Sequence, residues 1–167
     1  MKKFTIGALV RNHFGVLNRI TGLFSKRGYN IDSLAVGETE NPDISRITFV
    51  CSGDEYVQGQ VVRQFEKLHD VHSVMVFDEN TVSTEHMLIK IRLVGNCQAG
   101  VSKTISDFGG RVCDFGADYV IAELTAPTAT IDRFIEAVRE LGILETCRSG
   151  ALAMALGRGK SEVRNAE

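Results

Sequence analysis

The chain has 167 residues, of which 44% are hydrophobic and 24% are charged, an ordinary composition for a globular protein. A formal net charge of only −2 argues against broad electrostatic attraction to nucleic acid or to an anionic membrane. The apolar run after Lys3 stops at Arg11, and no segment approaches the roughly 20 apolar residues of a membrane span, so we expect a cytoplasmic protein without a signal peptide.

Strands and helices alternate in the prediction for the first half of the sequence. The apolar periods predict a strand at 4–10, a helix at 16–24, strands at 31–39 and 45–52, a helix at 57–68 and a strand at 71–77. Asn12 is placed to cap the first helix, and Gly28 suits its C-terminal turn. Ser52 and Glu55 resemble a capping box ahead of the second helix. The predicted order is βαββαβ.

The second half repeats this order with little sequence identity to the first. Its periods predict a strand at 87–93, a helix at 101–108, strands at 111–115 and 119–125, a helix at 131–141 and a strand at 143–148. Gly109 and Gly110 end the first of these helices. The predicted organisation is a domain at 1–78, a polar linker at 79–85, a second domain at 86–160 and a disordered tail at 161–167.

Both halves predict the α+β class, as two tandem ferredoxin-like βαββαβ domains. Each domain is expected to carry its helices on one face of an antiparallel sheet. A domain of about 75 residues buries only roughly 60% of its unfolded surface, so it is marginally stable alone. Pairing along a sheet edge or a helix face would bury more surface. We therefore expect a homodimer.

Residues that could carry catalysis or bind a metal are scattered over the sequence. The four histidines lie in separate predicted segments, and no nucleophile, phosphate-binding or zinc motif is present. The cysteines are Cys51, Cys97, Cys113 and Cys147. They form no Cys-x-x-Cys pair, so we expect buried reduced thiols and no metal ligation. We predict no catalytic residue and no metal site.

The corner between the first strand and the first helix is the most informative segment. A helix start presents unpaired backbone N–H groups and the positive end of the helix dipole, which suits a carboxylate. Gly15 would let a ligand approach this backbone closely, and the Asn12 side chain has both a donor and an acceptor. The same residues also fit a simpler interpretation, in which Asn12 is a helix cap and Gly15 a turn glycine.

Two other protein classes share the βαββαβ order. Acylphosphatases cradle phosphate in the first strand–helix loop with an arginine, but this loop is poor in glycine and Arg19 falls inside the predicted helix. RNA-recognition domains stack bases on exposed aromatic residues of the third strand. This sequence offers only Phe49 there, and its alternation with Ile47 predicts that it faces the core. Neither activity is expected.

A long run of residues starts at the same corner. It reads Asn12-x-x-Gly15-Val16-Leu17-x-Arg19-Ile20-x-Gly22-Leu23-Phe24-x-x-Arg27-Gly28-Tyr29-Asn30-Ile31-x-Ser33-Leu34. This run resembles the ACT domain that opens the small regulatory subunit of acetohydroxyacid synthase, also called acetolactate synthase. In the second half, Ile131-Asp132-x-Phe134 and Arg148-Ser149-Gly150 are similar to the C-terminal, ACT-like domain of that family. The resemblance covers nearly the whole chain.

The resemblance implies a regulatory subunit without catalysis of its own. In that family the small subunit activates a separate catalytic subunit and confers feedback inhibition by valine or a related branched-chain amino acid. The first domain dimerises there, and the amino acid binds between the two copies. Carried over by position, the effector-binding residues are Asn12, Gly15, Val16 and Leu17 of one copy and Asn30 and Ile31 of the other.

Cofactors belong to the partner in this interpretation. The catalytic subunit of the family carries thiamine diphosphate, Mg²⁺ and FAD, and the small subunit has no cofactor of its own. Phe14 lies within the corner, where it either narrows the effector pocket or packs on the second copy. A stand-alone ACT-domain regulator that responds to an amino acid is the alternative function, although no helix-turn-helix segment is spare for reading DNA.

Overall fold

The first βαββαβ unit is the N-terminal part of a computed structural model that describes residues 2–95 and 97–157. Its elements are β1 (Lys2–Arg11), α1 (Val16–Arg27), β2 (Ile31–Glu38), β3 (Ile44–Gly53), α2 (Glu55–Phe65) and β4 (Val71–Phe77). The four strands form an antiparallel sheet in the order β2-β3-β1-β4, so β2 and β4 are its edges.

The second unit repeats the same element order. Its elements are β5 (Thr81–Arg92), α3 (Gln98–Asp107), β6 (Arg111–Phe115), β7 (Tyr119–Ala126), α4 (Thr128–Val138), a 3₁₀ turn (Arg139–Leu141) and β8 (Ile143–Ala155). The sheet order is β6-β7-β5-β8. The predicted α+β class with two tandem ferredoxin-like domains is confirmed.

The boundaries between the units differ from the predicted ones. Among the described residues, 2–82 and 151–157 form the first compact unit and 83–150 form the second. The predicted linker at 79–85 is largely strand, because β5 already begins at Thr81. Its polar residues misled the prediction, since Ser83 and other strand positions there are exposed. The predicted tail at 161–167 lies outside the described residues.

Alternate residues of β1 and β3 point towards α1 and α2 and build the first core. Its buried members are Ile6, Ala8, Val10, Val16, Ile20, Phe24, Ile47, Phe49, Cys51, Val61 and Phe65. The rings of Phe24, Phe49 and Phe65 pack mutually, with centroids 5.1–5.5 Å apart. Phe49 therefore faces the core as predicted, and no base-stacking surface exists at that residue.

Two of the predicted helix caps are wrong and one is confirmed. The α1 N-cap position is Gly15 with no side-chain hydrogen bond, because the Asn12 amide binds elsewhere. The α2 N-cap is Asp54, which accepts from the Val57 N–H at 2.8 Å, while the Ser52 hydroxyl points from β3 towards β2. Gly28 ends α1 at φ 68°, as predicted.

The other face of the first sheet is covered by residues 151–155 of β8. Ala151 and Ala153 are buried there. The Ala151 N–H donates to the Ser33 hydroxyl at 3.1 Å, and Arg46 donates to the Ala153 carbonyl at 3.1 Å. Their solvent-facing neighbours Leu152, Met154 and Leu156 are about half exposed. This segment, distant in sequence, is therefore part of the first unit.

The second core is built in the same way under α3 and α4. Its buried members are Met87, Ile89, Ile91, Leu93, Val101, Ile105, Val120, Ala122, Leu124, Ile131, Phe134 and Val138. Beside it, the buried Glu85 carboxylate accepts two hydrogen bonds from Arg148, at 2.6 and 2.9 Å. Arg148 also donates to Asp132 of α4 at 3.0 Å, so this cluster joins two strands and a helix.

The prediction of four buried thiols is confirmed only for Cys51, since Cys97 is half-buried and the other two are exposed. All four cysteines are free, and Cys51 is buried, but Cys113 and Cys147 are exposed on strands of the second unit. Their strand positions point away from the second core, which the spacing of cysteines alone does not reveal. No helix in the described part of the chain is long and apolar enough to cross a membrane.

Candidate functional site

The β1–α1 corner leaves the start of α1 open to a ligand. Gly15 has φ 86°, a left-handed conformation that favours glycine, and a Cβ built there would meet nothing within 4 Å. The Gly15 carbonyl accepts from the Arg19 N–H at 3.0 Å, so the helix begins at once after the turn. No side chain caps this end. The Val16 N–H donates to the His13 carbonyl at 3.4 Å, and the neighbouring N–H groups can bind a carboxylate.

Asn12 ties the corner to the end of β2. Its side-chain amide donates to the Glu38 carboxylate at 3.0 Å and to the Pro42 carbonyl at 2.8 Å. Its backbone N–H donates to the Asp43 carbonyl at 2.7 Å. The side chain is thus fixed in orientation beside an exposed carboxylate. Glu38 was not predicted from the sequence, because only the β2–β3 turn brings it to the corner.

Asp70 contacts the corner through both its side chain and its backbone. Its carboxylate is buried and is contacted by His13 Nε2 at 3.1 Å and by the Arg19 guanidinium. Its backbone carbonyl accepts from the Arg11 N–H at 2.8 Å. Sequence reasoning missed this residue, because the contacts join positions more than 50 residues apart and no motif marks them.

The remaining predicted residues begin β2. The Asn30 amide donates to Asp32 at 2.8 Å, and the other Asp32 oxygen accepts from the Ser52 hydroxyl at 2.5 Å. The hydrogen bond from Ser52, together with the one from Asn30 and the charge of Lys3, lowers the pKa of Asp32. Ile31 is partly buried against the first core. Asn30 is therefore a fixed, exposed amide at the sheet end.

The predicted effector residues form two groups, one at the corner from Asn12 to Leu17 and one at the start of β2, Asn30 and Ile31. A single chain does not bring the two groups together. In the sheet register Ile31 is level with Cys51 and Phe4, whereas the corner follows Arg11 at the other end of β1. Phe4 and Arg11 are separated by 11 − 4 = 7 positions, which at roughly 3.4 Å per residue is about 24 Å. A site containing both groups needs two copies of the chain.

The hydrophobic residues of the corner divide into core and surface. The Val16 side chain is buried, so only its backbone can reach a ligand. Leu17 is 41% exposed and Phe14 is fully exposed. The corner thus offers backbone N–H groups next to accessible apolar surface, a combination suited to a small molecule with a carboxylate and a hydrocarbon side chain.

A metal site needs several His, Cys, Asp or Glu side chains close together. Over residues 2–95 and 97–157, no group of three or more His, Cys, Asp or Glu side chains is arranged to hold a metal ion. His13 Nε2 contacts the Asp70 carboxylate at 3.1 Å. What the corner can do chemically is bind an anion and a neighbouring cation.

Two family models match the chain over most of its length. The model described as an AHAS small subunit-like ACT domain matches residues 6–73. The model described as the small subunit of acetolactate synthase matches residues 84–157. Together they follow the two structural repeats, including both groups of predicted effector residues in the first.

Relatives and a solved structure are similar over nearly the entire chain. The "Probable acetolactate synthase small subunit" of Archaeoglobus fulgidus is 39% identical over 95% of this chain and 99% of its own length. The acetolactate synthase small subunit of Bacillus subtilis is 38% identical over 93% and 91%. The crystal structure of the acetolactate synthase small subunit from Thermotoga maritima has a TM-score of 0.88 at 31% identity, covering 95% of this chain and 100% of that chain.

Proposed function

The chain belongs to the family of acetolactate synthase small subunits, and we propose that it regulates a separate catalytic subunit in response to a branched-chain amino acid. The family membership supports a regulatory role in branched-chain amino-acid synthesis. The observation that carries the finer proposal is the placement of Asn12 and Asn30 at opposite ends of one sheet. Residues at opposite ends of one sheet can contribute to the same site if each site is formed by two copies of the chain.

The dimer that we propose pairs the β2 edges of two copies. An edge strand has unpaired backbone groups that a second strand can use. Antiparallel pairing about a two-fold axis would set the Ile31 end of one β2 beside the Glu38 end of the other. Since Glu38 contacts Asn12, each Asn30 would then approach the corner of the second copy. Two equivalent sites would result.

In this proposal the effector is a free amino acid, valine or a close relative. Its carboxylate would bind the N–H groups from Gly15 to Leu17, and its ammonium would face the side chains of Asn12, Asn30 and Glu38. Burying its apolar side chain against Ile31 and Leu17 would contribute roughly 1.5–3 kcal/mol. Such a pocket rejects glycine but separates valine from leucine and isoleucine only weakly.

The catalytic chemistry in this proposal stays with the partner. The chain serves a catalytic subunit that carries thiamine diphosphate, Mg²⁺ and FAD, as its family implies. Effector binding alters the arrangement of the two copies and thereby lowers the activity of the complex. Coupling of this kind is typically about 1–3 kcal/mol, and it requires the effector to bind the two arrangements unequally.

Calorimetric titration tests the site directly. We expect the purified chain to bind valine, leucine or isoleucine but not glycine. Asn12→Ala and Asn30→Ala should each weaken binding about 10- to 100-fold, because each removes a hydrogen bond to a charged group worth roughly 1.5–3 kcal/mol. Asn80→Ala is the matched control, since Asn80 is exposed in the turn before β5. The affinity of this variant for the amino acid should equal that of the unaltered chain.

Reconstitution with the catalytic subunit tests the regulatory role. The chain should raise acetolactate formation, and the effector should lower it again. Both asparagine variants should still activate, with their inhibition curves shifted to higher effector concentration. Unaltered feedback in both variants would place the effector site elsewhere, and a lack of activation by the unaltered chain would refute the regulatory role itself.

A further inference from the structure

A groove of about 500 Å³ lies on the helix layer of the first unit, apart from the effector corner. Most of its wall comes from the exposed side of α1, and the rest comes from the end of α2 and the turn after it. The lining residues used below are Arg19, Gly22, Leu23, Lys26, Arg27 and Leu68. We call this feature the helix groove.

The helix groove is strongly basic in a chain that is acidic overall. Three cationic side chains line it, no carboxylate does, and α1 contains no acidic residue from Val16 to Arg27. The net charge of the whole chain is −2, so this concentration of positive charge is local. Within the described part of the chain, Lys26 and Arg27 form no ion pair. Their charges face outwards and are available to an acidic partner.

The floor of the helix groove is kept open by a glycine. Gly22 sits in the interior of α1, and a Cβ built on it would meet nothing within 4 Å. Glycine in a helix interior is destabilising relative to alanine, and no positive φ requires it here. Leu23 and Leu68 supply apolar surface beside it. The space above Gly22 can therefore accept an apolar side chain of a partner.

Arg19 belongs to both the helix groove and the effector corner. It lines the groove, and its guanidinium pairs with Asp70, whose carboxylate also contacts His13. A carboxylate that entered the groove would compete with Asp70 for Arg19. The groove and the corner are thus connected through the ion pair of Arg19 with Asp70.

We propose that the helix groove is the docking site for a segment of the catalytic subunit that presents an apolar side chain next to a carboxylate. Charge complementarity selects this partner, because Lys26 and Arg27 beside an apolar floor match an acidic and partly apolar peptide segment. The inference rests on the proposed function, since only that function supplies a catalytic subunit. It adds the surface by which the two chains recognise each other.

Charge reversal in the intact complex tests the proposal. Arg27→Glu and Lys26→Glu should each weaken the affinity of the chain for the catalytic subunit at least tenfold, measured by sedimentation or by surface binding. Arg63→Glu on α2 makes the same charge change outside the groove, and its affinity should stay within twofold of the unaltered chain. Valine binding, measured by calorimetry, should not change in any of these variants.

Gly22→Leu tests the groove by shape instead of charge. A Cβ at position 22 meets nothing within 4 Å, so we expect the variant to fold and still bind valine. It should lose most of its affinity for the catalytic subunit. Normal affinity in Gly22→Leu and in both charge variants would overturn the inference.

Three further outcomes complete the test and separate this inference from the proposed function. If the charge variants change the mass of the free chain in light scattering, the groove is a seam between copies and the inference is wrong. If the unaltered chain neither binds nor activates the catalytic subunit, the proposed function fails, and this inference fails with it. Normal activation together with unaffected groove variants would refute the inference alone.

Discussion

Gly15 and Gly22 lie about two helical turns apart, but their backbone conformations differ. Gly15→Ala should lower the free energy of unfolding by about 1–2 kcal/mol, because alanine is strained at φ 86°. Gly22→Ala should raise it by about 0.5–1 kcal/mol, because Gly22 has ordinary helical geometry and free space around it. Urea unfolding of both variants measures the two shifts, and a loss of stability in both would contradict the assignment.

The thiols should react in an order set by burial and pKa. Burial raises the pKa of Cys51 to about 11, so at pH 8 it should react with a thiol reagent at least ~100-fold more slowly than the exposed Cys147. Desolvation and a hydrogen bond to Glu123 raise the pKa of Cys113. We therefore expect Cys113 to react more slowly than Cys147 and faster than Cys51. Mass spectrometry of samples labelled for different times measures the order in which the cysteines react. Cys147→Ser should remove the fastest phase, and rapid labelling of Cys51 would contradict the buried core.

Sequence patterns predicted individual residues well only where the cause is local. Gly28 follows from its own helix end, and the inward direction of Phe49 follows from strand alternation. Asn12 was misjudged as a cap because its partners, Glu38 and Pro42, lie 26 and 30 residues away. Asp70 was not found at all for the same reason. The approachable backbone at the corner was predictable, and the side chains that fix it were not.

At the level of elements, the cluster of Glu85, Arg148 and Asp132 should make the second unit sensitive to acid. The hydrogen bonds from Arg148 lower the pKa of Glu85. A carboxyl group whose pKa is lower in the folded state stabilises the fold above its unfolded pKa, about 4.3, and loses that effect as the pH falls through its folded value.

Glu85→Gln should therefore cost about 1–3 kcal/mol near pH 7, and the difference from the unaltered chain should shrink below about pH 4. Urea titrations at several pH values measure this. Glu136→Gln is the control, because Glu136 and its partner Arg139 are both exposed and such pairs contribute little. A pH-independent cost of Glu85→Gln would show that its charge is unimportant.

Most elements followed from apolar periodicity, and the exceptions share a cause. Strands β4 and β6 have their predicted ends, 71–77 and 111–115. In contrast, β8 continues to Ala155 where the prediction stopped at 148. The inward residues of its extension are small alanines, so the alternation that marks a strand is inverted, with the larger residues facing solvent. Periodicity cannot place such a segment without its partner surface.

On the scale of the whole molecule, contacts between residues more than 100 positions apart attach the end of β8 to the sheet of the first unit. Ala153→Glu should lower the free energy of unfolding by about 2–4 kcal/mol, because it places a charge against the covered sheet face. Met154→Glu is the matched control on the solvent side of the same strand, where Met154 is 61% exposed, and should change stability by no more than about 0.5 kcal/mol. Equal effects of the two substitutions would refute this packing.

The late position of residues 151–155 also determines how the protein can be made. A ribosome delivers β1 to β4 long before it delivers the segment that covers them. Until then the nascent first unit exposes a sheet face that includes Leu9 and Phe77, which are buried in the finished protein. Exposed apolar surface of this kind attracts chaperones or aggregates. Completion of the first unit therefore waits until residues 151–155 have been synthesised.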